Sequence, residues 1–185
     1  MKKLICVVLA LLFVASTAFA ETFSIRDGIT WSSTPEEITA LIGTEPEVAE
    51  ADDYNLTRYY YLDVSVAGIT GTFAVTYIDG QPITFMYFLD DVDENALADA
   101  LSEKYTSAEA SSEILNDHLN AMDVMMGRDD GYEYDDVYDY IFRWTAEENT
   151  DIFMVPEGSG STIMILYFNM NALESQTPVY TTDGL

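Results

Sequence analysis

Five carboxylates fall within eight residues at Asp129-Asp130-Gly131-Tyr132-Glu133-Tyr134-Asp135-Asp136. Hard cations such as calcium take about six to eight oxygens from a flexible loop. Asp129, Asp130, Glu133, Asp135 and Asp136 are therefore candidate calcium ligands. An EF-hand needs alternating acids, a glycine at the sixth position and a glutamate at the twelfth. Counted from Asp129, the third residue is already Gly131; counted from Asp91, the sixth is Ala96 and the twelfth Ser102. Acidic runs are ordinarily solvated, so a solvated loop is the plain reading and a calcium site the alternative. Asp90, Asp91, Asp93 and Glu94 have a simpler use, because acids ahead of a helix complement its positive end.

Other chemistry is thinly supplied. His118 is the sole histidine, and it falls beside an apolar helical stripe with no thiol, second histidine or serine at a catalytic spacing. It reads as a helix histidine rather than a general base. Paired carboxylates of a small hydrolase are a second alternative. With 33 Asp and Glu, however, pairs arise everywhere by chance. Cys6, the one cysteine, lies in an apolar leader, which excludes a disulfide framework, a zinc–thiolate site and a cysteine nucleophile from the rest. The expectation is a protein that is not an enzyme and carries no cofactor, calcium excepted.

Tyrosine is more informative. It offers apolar area with a polar tip at small entropic cost, which suits interfaces. Tyr59, Tyr61, Tyr138 and Tyr140 lie at strand spacing and are candidate partner-binding residues; ordinary sheet filling is the competing use. Arg58 and Arg143, also on strands, read as partners of strand acids such as Asp63 and Asp139.

The elements that must position these residues follow from periodicity. Residues 1–20 read as an export signal: Lys2-Lys3, an apolar run from Leu4 to Ala15, then Ala18-Phe19-Ala20. Phe23 to Arg26 suggests a short strand. Thr34, Pro35 and Glu37 supply a capping box and a first-turn proline, Ile38, Leu41 and Ile42 an apolar side, and Gly43 a left-handed stop. Glu45-Pro46 to Asp53 reads as an irregular acidic link. Three strands follow, over Thr57–Val66, Ile69–Ile78 and Ile83–Leu89, with Asp79-Gly80 as a strong hairpin signal. In the first of them Tyr60, Leu62, Val64 and Val66 share one face and Tyr59, Tyr61, Asp63 and Ser65 the other. In the third, Ile83, Phe85 and Tyr87 share a face. Leu97, Leu101 and Tyr105 mark a second helix, and Leu115, Leu119, Met122 and Met126 a third within Ser107–Met126. Three more strands occupy about Tyr138–Thr145, Thr150–Val155 and Thr162–Asn169.

The fold class is thus α+β. A mainly antiparallel arrangement of about six strands is expected, in two three-stranded groups, with a short N-terminal helix and two central helices. One domain spans residues 21–173, with two halves alike in outline at about 21–90 and 91–173. Residues 174–185 form a loose tail.

The opening Phe23…Ile29-Thr30-Trp31…Thr34-Pro35-Glu36-Glu37-Ile38…Gly43, followed by three strands, resembles small exported bacterial domains of the β-lactamase-inhibitory-protein and outer-membrane-assembly-lipoprotein type. Leu97–Tyr105, Trp144 and the closing Ile163–Phe168 strand also look like secreted relatives of that kind. The likeness departs in lacking a glycine after Trp31 and the inhibitor's cysteine pairs. It implies a non-catalytic module that grips another protein through an exposed sheet face.

Composition bounds the partner. The formal net charge is -26, from 33 acids against 7 Lys and Arg, which opposes phosphate backbones and anionic lipid. With 49% hydrophobic and 13% aromatic residues the chain can still build a core. The reading is an exported, secreted or periplasmic, acidic interaction module that inserts in no membrane and binds no nucleic acid. Its partner is another protein or a cell-surface polymer with a basic patch.

Overall fold

Apolar residues at every second position, punctuated by turn residues, commit most of this chain to strands that hydrogen-bond along their edges. The computed structural model describes residues 24–26, 28–51, 55–66, 69–127, 141–156 and 162–176. Among them eight strands form one sheet: β1 (Glu47–Ala51), β2 (Leu56–Val66), β3 (Ile69–Ile78), β4 (Gln81–Asp90), β5 (Thr106–Ala108), β6 (Phe142–Ala146), β7 (Thr150–Pro156) and β8 (Thr162–Asn169). The helices are α1 (Pro35–Ile42), α2 (Glu94–Lys104), α3 (Ser112–Met125) and α4 (Met170–Gln176).

The order across the sheet is β1-β2-β3-β4-β8-β7-β6-β5, and every pairing is antiparallel. The α+β class and the antiparallel sheet are as expected. The count is not: the two groups of three are one continuous sheet, because β4 pairs with β8, and each group gains an outer strand. Both added strands escape a search for periodicity. β1 carries Glu47 and Glu50 with little apolar alternation, so the backbone ladder to β2 holds it rather than side-chain burial. β5 (Thr106–Ala108) is only three residues long, and its Ser107 and Ala108 fall within the range expected for the third helix, whose cap is Ser111. Residues 174–176 likewise belong to α4 rather than to a tail. Asn169 Oδ1 accepts the Ala172 N–H at 3.2 Å, while Ala172 and Leu173 are buried.

The hairpin at Asp79-Gly80 has positive φ at both residues, 50° and 75°, as a two-residue turn of this hand requires. Two register shifts then redistribute the faces. Tyr61 pairs with Phe73 and Val64 with Gly71, so Leu62 and Asp63 together oppose Thr72. Asp63 takes a φ of 55° in this bulge. Val64 consequently joins Tyr59 and Tyr61 on one face, contrary to simple alternation, and Tyr60 packs on the other. A second shift, at Thr76/Tyr77 against Pro82 and Thr84, sends Ile83 to the face opposite Phe85 and Tyr87.

Each face of the sheet has its own core. On one, Phe73, Val75, Phe85, Tyr87, Ile165 and Trp144 pack with Ile38 of α1 and Ala98 and Leu101 of α2. Trp31 closes this side, its ring 4.6 Å from Phe85 and its Nε1 donating to Thr150 Oγ1 at 2.8 Å. On the other face, Ala74, Phe153, Leu166 and Phe168 pack with Leu115 and Met122 of α3 and with Ala172 and Leu173 of α4. No helix among the described residues is long and apolar enough to cross a membrane.

Gly71 of β3 pairs with Leu89 of β4. A Cβ there would meet the Phe88 carbonyl oxygen and lie 2.7 Å from Leu89 Cδ2. Gly71→Ala is expected to destabilise the fold by about 2–3 kcal/mol, read as a lowered urea midpoint. An unchanged midpoint contradicts the tight β3–β4 packing.

Candidate functional site

The capping signals act as their chemistry dictates. Thr34 Oγ1 accepts the Glu37 N–H at 3.3 Å and Glu37 Oε2 accepts the Thr34 N–H at 2.9 Å. This fixes α1 at its start and leaves Glu36 outward. At its end Gly43, with φ 80°, donates to the Thr39 carbonyl and turns the chain through Glu45-Pro46 into β1. Between α1 and β1 lies an open groove of about 690 Å³. Its walls are Pro35, Thr39, Ala40, Pro46, Val48 and Tyr59, and Glu36 and Glu45 also line it. Val48 is 51% exposed there, a large apolar side chain left in water.

Tyr59 is half-buried, edge-on to Tyr77 at 5.6 Å. Burial pushes its phenol above the ordinary value, and Glu36 and Glu50 push it further. Tyr61 is wholly buried. Its hydroxyl lies 3.1 Å from Thr39 Oγ1 and donates to the Pro35 carbonyl at 3.3 Å. Burial raises it, the Thr39 bond opposes, and Tyr59, Glu36 and Glu45 raise it again. Tyr77, whose hydroxyl donates to the Ser33 carbonyl at 2.8 Å, is raised in turn by burial, Tyr61, Tyr59, Glu36 and Glu37. Burial is the main cause for all three phenols, and the Glu36 carboxylate adds to it in each.

Of the four tyrosines singled out from the sequence, Tyr59 therefore lines an open groove, while Tyr61 is spent holding α1 against β2. Tyr138 and Tyr140 lie outside the described residues, as do the candidate calcium ligands Asp129, Asp130, Glu133, Asp135 and Asp136. Among the described residues no three His, Cys, Asp or Glu side chains gather as a metal site.

A second polar centre could not be assembled from the sequence. His118 of α3 is 7% exposed, and its Nε2 meets Asp151 Oδ2 at 2.8 Å. Arg143 Nη2 and Nε reach the same oxygen at 2.6 and 3.2 Å, and its Nη1 donates to the Glu109 carbonyl. Phe153 and Phe168 hold the imidazole edge-on at 5.2 and 5.1 Å. Arg143 thus serves Asp151, on a diagonal across β6 and β7; Asp139, the strand acid expected beside it, lies outside the described residues. Arg58 likewise donates to Thr76 Oγ1 and the Tyr60 hydroxyl rather than to Asp63, which the bulge turns outward. The one available signal was an aspartate at an inward strand position, sharing a face with Phe153.

Burial pushes the Asp151 carboxyl up, but the hydrogen bonds from His118 and Arg143, and then their charges, outweigh it and hold the carboxyl below its ordinary value. Through Asp151 the imidazole of α3 and the guanidinium of β6 are tied to β7, which fastens α3 to the sheet.

Comparison of the chain with protein-family models, with curated proteins and with solved structures finds no match.

A carboxyl lowered on folding stabilises the fold above its unfolded pKa, and that stability is lost as pH falls through the folded value. Wild type is expected to weaken progressively below about pH 4. Asp151→Asn, which removes the charge that Arg143 and the buried imidazole meet, is expected to cost about 3 kcal/mol at pH 7 and to flatten the acid limb. Denaturant titrations from pH 3 to 7 measure both; identical acid limbs for the two proteins contradict the assignment.

Proposed function

We propose that this protein is an exported, non-catalytic binding module that holds a cationic segment of another protein in the groove between α1 and β1. The observation that carries this reading is the groove itself: an aromatic floor at Tyr59, an exposed apolar wall at Val48, and glutamates on its rim and beside the phenol. A tyrosine face ringed by carboxylates favours an ammonium or guanidinium group, which gains ion pairing at the rim and cation–π attraction at the ring. A folded protein or peptide suits the groove better than a polymer, because its apolar wall also asks for apolar side chains beside the charge.

The whole-chain charge works in the same direction at longer range, by steering a basic partner and repelling further copies of this acidic chain. The likeness of Phe23–Gly43 to the inhibitory and assembly domains supports a gripping role. Burial of Tyr61 and of both sheet faces supports a contact at the sheet's end in preference to one on a sheet face. The leader read at residues 1–20 supports a secreted or periplasmic setting.

Any protein this acidic attracts polycations, so the test must separate site from surface. Binding of an eight-lysine peptide is measured by calorimetry across a salt series for wild type, Tyr59→Ala, the double variant Glu36→Gln/Glu50→Gln, and Asp99→Asn/Glu103→Gln on exposed α2. Both double variants remove two charges. Tyr59→Ala and the groove pair are expected to weaken binding about tenfold, while the α2 pair stays near wild type. Equal effects from the two pairs would mean diffuse attraction and would remove the groove from the proposal.

A further inference from the structure

We infer that the partner segment, on the groove reading above, binds as an added strand along the free edge of β1. The phase of the backbone ladder can be followed to that edge. The Asp79 N–H donates to the Asn55 carbonyl at 3.1 Å, so that carbonyl points toward β3 and the Leu56 N–H, on the opposite side of the same trans peptide, points toward β1. Backbone groups of successive strand residues point to opposite sides. Thr57 and Tyr59 therefore address β3, while Leu56, Arg58 and Tyr60 address β1. Their partners are Ala51, Ala49 and Glu47 respectively. Val48 and Glu50 consequently direct their N–H and C=O groups away from the sheet, and among the described residues no strand pairs with that side.

The surface beside this edge is shaped to receive a chain. The groove containing Tyr59 reaches β1 at Val48, and a second open concavity of about 650 Å³ meets it at Glu50 and Ala51, next to Asp79 and Gly80. Val48 and Glu50, whose outward backbone groups meet no strand among the described residues, each line one of these two concavities. Extended peptides add to sheet edges in this way, with backbone bonds giving affinity and alternate side chains giving selectivity.

Charge selects the occupant. Val48 lies opposite Tyr59 and shares its face, as does Glu50 two residues on; Glu47, Ala49 and Ala51 occupy the other. An added strand therefore sets every second side chain against Val48, Glu50 and the glutamates beside Tyr59. Lysine or arginine at those positions is matched. A second copy of β1 would bring more glutamate to the same place, and short charged edge strands are a recognised guard against such self-pairing. The occupant is an extended segment of another protein with basic residues at alternate positions.

The probe is a soluble eight-residue peptide alternating Lys and Val, with two analogues N-methylated on alternate backbone nitrogens in either phase, titrated against the full chain. Val48→Pro removes the outward N–H without touching the β1–β2 ladder, and Val48→Ala controls for the side chain. An unchanged unfolding midpoint establishes that each variant is folded. Expected are binding of the parent peptide, about tenfold loss for one methylated phase only, and about tenfold weaker binding by Val48→Pro than by Val48→Ala. If both analogues and both variants bind like their parents, strand addition is overturned while cation capture in the groove stands. If no lysine peptide binds at low salt, the groove reading falls and takes this inference with it. Sedimentation that finds a dimer abolished by Val48→Pro would make a second copy the occupant and overturn the inference as well.

Discussion

Seven residue pairs between β4 and β8, from Thr84 opposite Phe168 to Asp90 opposite Thr162, join the two halves of the chain into one sheet. Both strands are covered on their two faces. Phe85, Tyr87 and Leu89 run beside Ile163, Ile165 and Tyr167 on one side, with Met86 and Phe88 beside Met164, Leu166 and Phe168 on the other. Without this seam each half would expose an apolar edge strand, a form that invites pairing with other chains. The cores on either side are shared accordingly. Trp31 of the first half bonds to Thr150 of the second, and Tyr167 sits edge-on to both Tyr87 and Tyr105 at 6.2 Å. A buried phenol in such surroundings resists ionisation, and Tyr167 is raised far above its ordinary value by burial, Tyr105 and Tyr87.

From the seam outward, register decides what reaches the surface. The bulge at Leu62-Asp63 inserts one residue into β2, so Val64 stays on the same side as Tyr59 and Tyr61 instead of crossing over. Tyr61 then seats α1 through Thr39 and Pro35, and Tyr59, two residues nearer the edge of the pairing, is left at the mouth between α1 and β1. A strand of perfect alternation would place Tyr61 and Val64 on opposite faces and deny one of them its core. The strained backbone at Asp63, with its positive φ, is offset by burial of those two side chains.

Much of this was legible because local chemistry and tertiary context agree. The capping box at Thr34-Pro35-Glu36-Glu37, the Asp79-Gly80 turn, the Leu97–Leu101–Tyr105 stripe and the alternation of Phe142 and Trp144 each satisfy a short-range rule that the fold keeps. What was missed depends on partners remote in sequence. β1 is a strand because β2 offers it a ladder, and no side-chain pattern of its own says so. His118 and Asp151 are 33 residues apart and become neighbours only when α3 crosses β7. The groove was half visible: Tyr59 was chosen for being a tyrosine, but its separation from the otherwise similar Tyr61 needed the bulge and the seat of α1.

The surplus of acid takes a different form inside and out. Inside, Asp151 is accompanied by both an imidazole and a guanidinium, and the desolvation that would otherwise neutralise it is more than offset. Outside, at the α1–β1 end, Glu36, Glu45, Glu47 and Glu50 form no ion pair among the described residues: Lys and Arg total 7 in the whole chain, and Arg58 nearby is engaged by Thr76 and Tyr60. Like charges crowded at one end of a protein repel one another, at a cost to the compact state. That cost is relieved only by cations, and mobile salt relieves it without specificity. On the reading proposed above, a basic side chain carried on an extended backbone relieves it while also meeting the outward backbone groups of Val48 and Glu50, so the charges that repel a second copy of this chain are the ones that select a foreign strand.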